Sequence, residues 1–272
     1  MTTLVNGEPG TRIDATDRGL QFGDGVFETL RVQQGRPVLW DRHWRRLCQG
    51  LDLLGIPRPR ESDCLDDLGR ACGTGVELAK LIVTRGPGPR GYAVPARVRP
   101  TRIVTGGHPL ANSESSHILR LGLCGTRVGP NPLPGCKHLN RLENVLARQE
   151  WKRGWDEGLM LDSRGRVRCA TQSNVFVLAG GRLVTPSVAH HGVAGTRRGW
   201  LIDECRAHGL EVHETMLNPM QVLAAPTIFL TNTRIGLRRA VWADRPTRIQ
   251  DHEPDDVLRL MQNIGAKLNA LD

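Results

Sequence analysis

The stretch Gly-Cys-Lys-His-Leu-Asn-Arg-Leu-Glu at residues 135–143 is the most informative part of this 272-residue chain. Its Lys137 is one of only four lysines, which are Lys80, Lys137, Lys152 and Lys267. Lysine is the side chain that forms an imine with a carbonyl cofactor, whereas arginine stays charged and cannot replace it in that chemistry. A Pro/Gly-rich turn at 129–135 precedes Lys137, and a helix is predicted from about 138 to 152. The sequence therefore predicts a lysine on a well-fixed backbone at the start of a helix.

Secondary-structure patterns around this stretch predict two mixed lobes, and so an α+β fold. Strands are predicted near 2–7, 26–32, 37–40, 77–85 and 99–105, with helices at 41–54 and 61–72. Beyond residue 117, strands are predicted near 118–124, 157–161, 174–178, 182–184 and 226–231, with helices near 195–208 and 253–269. The inner stripe of the helix that follows Lys137 is predicted to be Leu139, Leu142, Val145, Leu146 and Gln149.

A polar stretch at 110–117 has no apolar periodicity and is predicted to link the two lobes. The predicted domains are therefore an N-terminal lobe at 1–109 and a C-terminal lobe at 118–272, and Lys137 falls in the second. No apolar run approaches the roughly 18–20 residues that span a bilayer. The first residues lack a basic start followed by an apolar stretch, so we expect a cytoplasmic protein with no membrane partner.

Charge and cysteine patterns exclude several other classes of function. The net charge is +9, but the arginines are spread along the chain and aromatic residues make up only 4%, which disfavours a nucleic-acid-binding protein. The seven cysteines form no Cys-x-x-Cys pair, which argues against a disulfide framework and a zinc site. The pairs Cys136/His138 and His190/His191 lack supporting ligands elsewhere, so no metal site is predicted.

Three segments carry a resemblance to a known family. Residues 135–146, residues 17–29 (Asp-Arg-Gly-Leu-Gln-Phe-Gly-Asp-Gly-Val-Phe-Glu-Thr) and residues 84–92 (Thr-Arg-Gly-Pro-Gly-Pro-Arg-Gly-Tyr) resemble aminodeoxychorismate lyases. The similarity runs in collinear order from residue 3 to about 240. That family is one of the fold-type IV enzymes that depend on pyridoxal 5′-phosphate, together with branched-chain and D-amino-acid aminotransferases. The resemblance implies a homodimer of two-lobed subunits with a D-amino-acid aminotransferase-like architecture and the cofactor in the interdomain cleft.

The resemblance also implies roles for individual residues. Lys137 would hold the cofactor as an internal aldimine, and Arg46 would grip its phosphate. Thr196 and Arg197 match a turn at a helix start whose backbone N–H groups bind phosphate, as helix N-termini do well. Thr233 matches a hydroxyl that contacts the same phosphate. The candidates for the substrate are Phe27, Arg90 and Tyr92, of which the last two would hold carboxylates.

One position departs from the family pattern. Counted back from Asn174, the family has a glutamate that pairs with the pyridinium nitrogen, and this chain has Cys169 there. A carboxylate keeps that nitrogen protonated and makes the cofactor a strong electron sink, whereas a thiol does so poorly unless it ionises. Transamination depends on the sink more than an elimination that aromatises its product, so this residue favours a lyase.

The implied reaction converts 4-amino-4-deoxychorismate to 4-aminobenzoate, a folate precursor, and pyruvate. Lys137 would be the general base that removes the proton from C4. A D-amino-acid or branched-chain transaminase is the alternative, and Cys169 also leaves open a relative that binds cofactor but catalyses weakly.

Overall fold

The computed structural model describes residues 2–109, 117–189, 191–244 and 254–271. Their contacts divide the chain into two compact units. Unit 1 comprises the described residues up to 109 together with Cys136–Asn140, and unit 2 comprises 117–135 and the described residues from Arg141 onward. The segment that carries Lys137 thus groups with unit 1, although its sequence position lies inside the predicted C-terminal lobe. Of the predicted linker at 110–117, residues 110–116 lie outside the described residues.

Unit 1 is built on an antiparallel six-stranded sheet with the order β2-β1-β6-β5-β3-β4. Its strands are β1 Thr2–Val5, β2 Glu8–Pro9, β3 Gly25–Gln33, β4 Arg36–Pro37, β5 Val76–Thr84 and β6 Thr101–Pro109. Its helices are α1 Arg18–Phe22, α2 Trp40–Leu54 and α3 Glu61–Ala71.

The two faces of this sheet differ because successive strand side chains point to opposite sides. In β3, Val26, Glu28 and Leu30 are buried, and α2 packs against them. Phe27 and Thr29 on the opposite face stay half-exposed. One face of the sheet is therefore core, and the other, called the open face below, remains accessible within unit 1.

Unit 2 contains an eight-stranded mixed sheet with the order β12-β11-β10-β13-β14-β7-β8-β9. The strands are β7 Leu119–Val128, β8 Glu157–Asp162, β9 Val167–Ala170, β10 Asn174–Ala179, β11 Arg182–Pro186, β12 Val212–Thr215, β13 Thr227–Asn232 and β14 Gly236–Trp242. The pairs β11–β12, β14–β7 and β7–β8 are parallel, and the others are antiparallel. The helices are α4 Leu142–Gln149, α5 Thr196–Ala207, α6 Pro219–Ala224 and α7 Asp255–Ala270. In the described part of the chain, no helix is both long enough and apolar enough to cross a membrane.

The helix after Lys137 differs from its prediction in length and in orientation. It begins at Leu142 instead of about 138, because residues before it form strand-like bonds with β3. The predicted inner stripe was wrong: Leu142, Val145 and Leu146 are exposed, and Ala147 is the buried residue. Asn144 points inward and donates to the carbonyl of Thr171 (2.8 Å). Polar groups thus anchor this helix to unit 2 and leave its apolar side exposed.

Candidate active site

The lysine segment is held as an added strand beside β3. The Phe27 N–H donates to the carbonyl of Lys137 (2.9 Å), and the Leu139 N–H donates to the carbonyl of Gly25 (3.0 Å). A Cβ on Gly25 would lie 2.6 Å from the Val83 carbonyl oxygen of β5 and 3.0 Å from the Leu139 side chain of the lysine segment, so a glycine is needed between them. Gly23 has φ +65°, and a Cβ there would meet the amide of Asn140. The Phe-Gly-Asp-Gly motif therefore lets the lysine segment pack closely against β3.

Two lysine ammonium groups lie beside one aromatic ring in unit 1. The Nζ of Lys137 is 4.3 Å from the centroid of the Phe27 ring. The Nζ of Lys80 is 4.7 Å from the same centroid. Solvent reaches part of the Lys80 side chain, yet burial still lowers the pKa of its ammonium because it penalises the charged form. The sequence analysis assigned no role to Lys80.

Arg46 belongs to a buried charge network between α2 and β3. Its Nε donates to a carboxylate oxygen of Glu28 (2.8 Å), and a second guanidinium nitrogen contacts the other oxygen. Nδ1 of His43 lies 2.7 Å from the same carboxylate. Burial alone would raise the pKa of Glu28, but Arg46 and His43 lower it to about 2. Burial lowers the pKa of His43, against the effect of Glu28. Glu28 thus fixes the orientation of the guanidinium predicted to bind phosphate.

The glycine-rich loop with Arg90 and Tyr92 is exposed in unit 1. Tyr92 is 86% exposed, and Arg90 is also exposed. Arg18 anchors the loop by donating to the carbonyls of Gly91 (3.0 Å) and Tyr92 (3.3 Å). The rings of Tyr92 and Phe22 lie 5.4 Å apart. The backbone of this loop is therefore held by α1 while the two predicted substrate side chains face outward.

Cys169 lies on β9, opposite Met160 of β8, in unit 2. Burial raises the pKa of its thiol to about 12, and the nearby Glu157 acts in the same direction. The side chain is therefore a neutral thiol near pH 7. It supplies none of the negative charge that a glutamate would supply at this position.

Glu157, which the sequence analysis did not select, is a buried carboxyl group at the start of β8. It accepts hydrogen bonds from the hydroxyls of Thr171 and Ser173 and from the N–H of Gln172. Burial raises its pKa, although these hydrogen bonds act in the opposite direction. The only sequence feature that could have pointed to Glu157 was an acidic residue at the start of a strand that is buried throughout. Glu157 orders the turn that follows Cys169.

The predicted phosphate residues of unit 2 lie at two turns. Thr196 begins α5 after Gly195, where a Cβ would meet the amide oxygen of Asn174 at 2.0 Å. The guanidinium of Arg197 is buried and donates to the carbonyl of Leu268 (3.0 Å), so this side chain also ties α5 to α7. Thr233 lies in the turn between β13 and β14. The α5 N-terminus has no acidic residue in its first turn, which suits it to an anion.

A family assignment follows from comparison with known proteins. Residues 25–241 match the family described as amino-transferase class IV. The chain belongs to the amino-transferase class IV family. Among described residues, no cluster of three or more histidine, cysteine or acidic side chains is arranged to hold a metal ion. The candidate residues from Phe27 to Thr233 all lie inside the matched region.

Relatives within amino-transferase class IV include lyases and transaminases. An aminodeoxychorismate lyase of Vibrio harveyi is 30% identical over 243 residues, covering 86% of this chain and 88% of that protein. A D-alanine aminotransferase of Bacillus licheniformis is 28% identical over 246 residues, with 86% and 85% covered. The crystal structure of 4-amino-4-deoxychorismate lyase from Pseudomonas aeruginosa is 36% identical with a TM-score of 0.88, covering 98% of this chain and 99% of that one.

These comparisons confirm the predicted family and the predicted fold-type IV architecture. The fold is shared with a branched-chain amino acid aminotransferase from E. coli, which is 22% identical with a TM-score of 0.80 and covers 98% of this chain and 94% of that one. Since both reactions occur among the relatives, the choice between them depends on individual residues of this chain.

Proposed function

We propose that this protein is a pyridoxal-phosphate-dependent aminodeoxychorismate lyase. It converts 4-amino-4-deoxychorismate to 4-aminobenzoate and pyruvate, and so supplies a folate precursor. The observation that carries the proposal is Lys137, whose backbone is bonded to β3 and whose amine lies beside Phe27, in a chain similar to two lyases.

Each unit by itself offers groups of the kind that this cofactor binds. Lys137 provides the amine that binds the aldehyde, and the N–H groups at the start of α5, where only a glycine fits at 195, suit a phosphate. Arg46, oriented by Glu28, and Thr233 are the proposed additional phosphate ligands. When bound, the cofactor supplies an aldehyde that takes up the substrate amine and a ring that withdraws electrons from C4.

Lys137 then acts as the general base of the elimination. Its amine removes the proton from C4 of the substrate, and the electron pair of that C–H bond forms a ring double bond as the C3–O bond breaks. Enolpyruvate leaves with the electrons of the C3–O bond and becomes pyruvate when its carbon is protonated. The substrate ring becomes aromatic, which provides the driving force. Arg90 and Tyr92 remain the proposed carboxylate contacts on the glycine-rich loop.

Cys169 favours elimination over transamination. Its neutral thiol gives little support to a protonated pyridine nitrogen, so the cofactor ring stores negative charge less well. Elimination tolerates this loss because the electrons leave with enolpyruvate, whereas a transaminase must hold them on the cofactor. The thiol therefore supports the lyase over the transaminases in the same family.

We also propose that the protein is a cytoplasmic homodimer. The exposed side chains Leu142, Val145 and Leu146 form an apolar patch on one side of α4, as expected for a helix that packs against a second copy. All seven cysteines lie within the described residues and none forms a disulfide, in keeping with a reducing compartment.

The deciding experiment measures 4-aminobenzoate and pyruvate released from 4-amino-4-deoxychorismate by the purified protein loaded with pyridoxal phosphate. We expect both products in equal amounts from the wild type and none from Lys137→Ala, which should also lose the visible absorbance of the bound cofactor. Full activity in Lys137→Ala would contradict the role of this lysine. Absence of product, with an amino-acid-dependent conversion of the cofactor to its amine form that a keto acid reverses, would identify a transaminase instead.

A further inference from the structure

A cavity in unit 2 lies between α7 and the first half of β14. Its volume is about 620 Å³, within the range of roughly 300–1,000 Å³ that is usual for pockets holding small molecules. None of the residues assigned above to the cofactor or the substrate lines it. It also shares no residue with the open face of the unit 1 sheet, where Phe27 lies beside Lys137. The proposed lyase reaction therefore makes no use of this cavity.

The cavity exists because β14 begins before the strand beside it does. The strands β7 and β14 run parallel, and their pairing starts at Leu119 and Ala240. The first residues of β14, from 236 to 239, therefore have no β7 residue opposite them. The side chain of Asn269 on α7 occupies part of this edge, since it accepts from the N–H of Leu237 (3.0 Å) and donates to the Leu237 carbonyl (3.5 Å). The space beyond this contact stays open.

The α7 wall of the cavity is one stripe of the helix with small residues at its centre. Six residues spaced three and four apart, as on one helix face, line this wall: Leu258, Met261, Gln262, Gly265, Ala266 and Asn269. Gly265 and Ala266 contribute little side-chain volume, and a Cβ at 265 would lie 3.3 Å from Cδ2 of Leu237. Small residues therefore keep the space open where α7 meets β14.

The opposite wall is an apolar floor with one guanidinium group. Phe229 of β13 pairs directly with Arg239 of β14, so the two side chains lie on the same face of the sheet. Leu237 lies two residues before Arg239 and therefore on that face too. Phe229 and Leu237 are buried, whereas Arg239 is half-exposed. A flat ring in the cavity would contact apolar side chains on the sheet while its edge reaches Arg239.

The charge of the lining favours an anion. Among the described residues that line the cavity, none is acidic, and Arg239 and the amide of Gln262 supply hydrogen-bond donors. His117 lies at the mouth, where its Nε2 is 3.3 Å from a carboxylate oxygen of Asp156, a residue outside the lining. A guanidinium binds a carboxylate through two parallel charge-assisted hydrogen bonds, which are stronger than hydrogen bonds between neutral groups.

We propose that this cavity is a binding site for a small aromatic carboxylate, whose ring lies between α7 and the sheet and whose carboxylate contacts Arg239. The site goes beyond the proposed function and does not depend on it. Benzoate and 4-aminobenzoate both belong to this chemical class. Benzoate is the cleaner probe because it has no amine with which to replace Lys137 on the cofactor.

The first test titrates benzoate into the protein loaded with pyridoxal phosphate and measures binding by calorimetry. We expect Arg239→Gln to weaken the binding roughly 10- to 100-fold, which is the range of a charge-assisted hydrogen bond. Arg259→Gln is the matched control, because Arg259 is an exposed arginine of α7 that does not line the cavity. It should bind benzoate as the wild type does.

A second pair of variants changes the space instead of the charge. Ala266→Trp places an indole in the cavity and should abolish benzoate binding, whereas Ala270→Trp, at an exposed alanine of the same helix outside the cavity, should retain it. The visible absorbance of the bound cofactor should match the wild type in all four variants, because none of them touches Lys137. Arg239→Gln keeps the test decisive if Ala266→Trp fails to fold.

A crystal of the loaded protein soaked with 4-bromobenzoate locates the site directly. We expect an anomalous bromine peak between α7 and β14. Absence of benzoate binding, binding that is equal in wild type, Arg239→Gln and Ala266→Trp, or a bromine peak at another place only would each overturn the inference. Failure of the proposed function has a different signature, which is the absence of 4-aminobenzoate when the wild type is given 4-amino-4-deoxychorismate.

Discussion

At the residue scale, this chain has a thiol where the family pattern has a carboxylate. Cys169 is a neutral thiol because burial raises its pKa to about 12, and the negative charge of the neighbouring Glu157 acts in the same direction. We propose that position 169 determines how much negative charge the cofactor ring can store.

Cys169→Glu should increase transamination relative to elimination. A carboxylate would stabilise the protonated pyridine nitrogen and so the charge stored on the cofactor. We expect the amino-acid-dependent half-reaction, which converts the cofactor to its amine form, to become about tenfold faster or more, equivalent to at least ~1.4 kcal/mol. Stopped-flow absorbance of the cofactor measures this rate, and Cys124→Ser is a control substitution of a buried thiol on β7, which β8 separates from β9. An unchanged rate would mean that residue 169 does not interact with the cofactor ring.

Sequence reasoning at this scale selected Lys137 because lysine is rare in this chain and this one stands in a dense polar cluster before a predicted helix. It did not select Lys80, since a lysine in a predicted strand is usually a solvated edge residue. The partners of Lys80 lie on β3 and β6, and they became neighbours only through strand register. Glu157 was not selected for a similar reason. The hydroxyl groups that donate to it belong to Thr171 and Ser173, which are distant from it in the sequence.

At the element scale, β3 and α2 are joined by a buried ion pair. The carboxylate of Glu28 is 1% exposed and the guanidinium of Arg46 is 9% exposed, so neither charge is well solvated. Removing one partner of such a pair leaves the other without compensation. The same contact orients the proposed phosphate ligand.

Glu28→Gln should destabilise unit 1 and weaken cofactor binding. Breaking a buried pair costs about 3–5 kcal/mol, whereas Asp52→Asn, which breaks the exposed Asp52–Arg58 pair, should leave unfolding almost unchanged. Because the pKa of Glu28 falls to about 2 on folding, its stabilisation is present above pH 4.5 and is lost between about 4.5 and about 2. Urea unfolding at several pH values checks both points. A difference between wild type and Glu28→Gln that stays constant down to pH 3 would contradict the pKa.

The helix α4 shows where the prediction from apolar periodicity was wrong. Apolar residues at helical spacing predicted a core-facing stripe, yet Leu142, Val145 and Leu146 are exposed and the polar Asn144 points inward. A helical repeat of apolar residues indicates that one side of a helix is buried. It does not indicate whether residues of the same chain or of another molecule bury that side.

At the scale of the whole molecule, the exposed apolar side of α4 predicts that two copies of the chain form a dimer. Leu142→Asp combined with Leu146→Asp should convert a dimer to a monomer, because charged groups at an apolar contact must be desolvated. Light scattering after size-exclusion chromatography should give twice the 30.0 kDa chain mass for wild type and one chain mass for the variant.

Leu53→Asp is the control, since Leu53 is a single exposed leucine on α2. It should leave the mass at that of a dimer. A wild-type mass of one chain would contradict the homodimer, and a dimeric double variant would place the interface elsewhere.

The sequence by itself determined the family and the mixed two-lobed fold, and it selected Lys137 as the candidate catalytic residue. These depend on motifs and local periodicity, which are properties of neighbouring residues along the chain. Only the tertiary structure decided that the lysine segment joins the first sheet, that Lys80 lies beside the same aromatic ring, and that the apolar side of α4 is exposed. These features depend on strand register and on which side of an element the chain covers. Strand register and the burial of each side of an element are determined by residues far apart in sequence, so no local sequence pattern specifies these features.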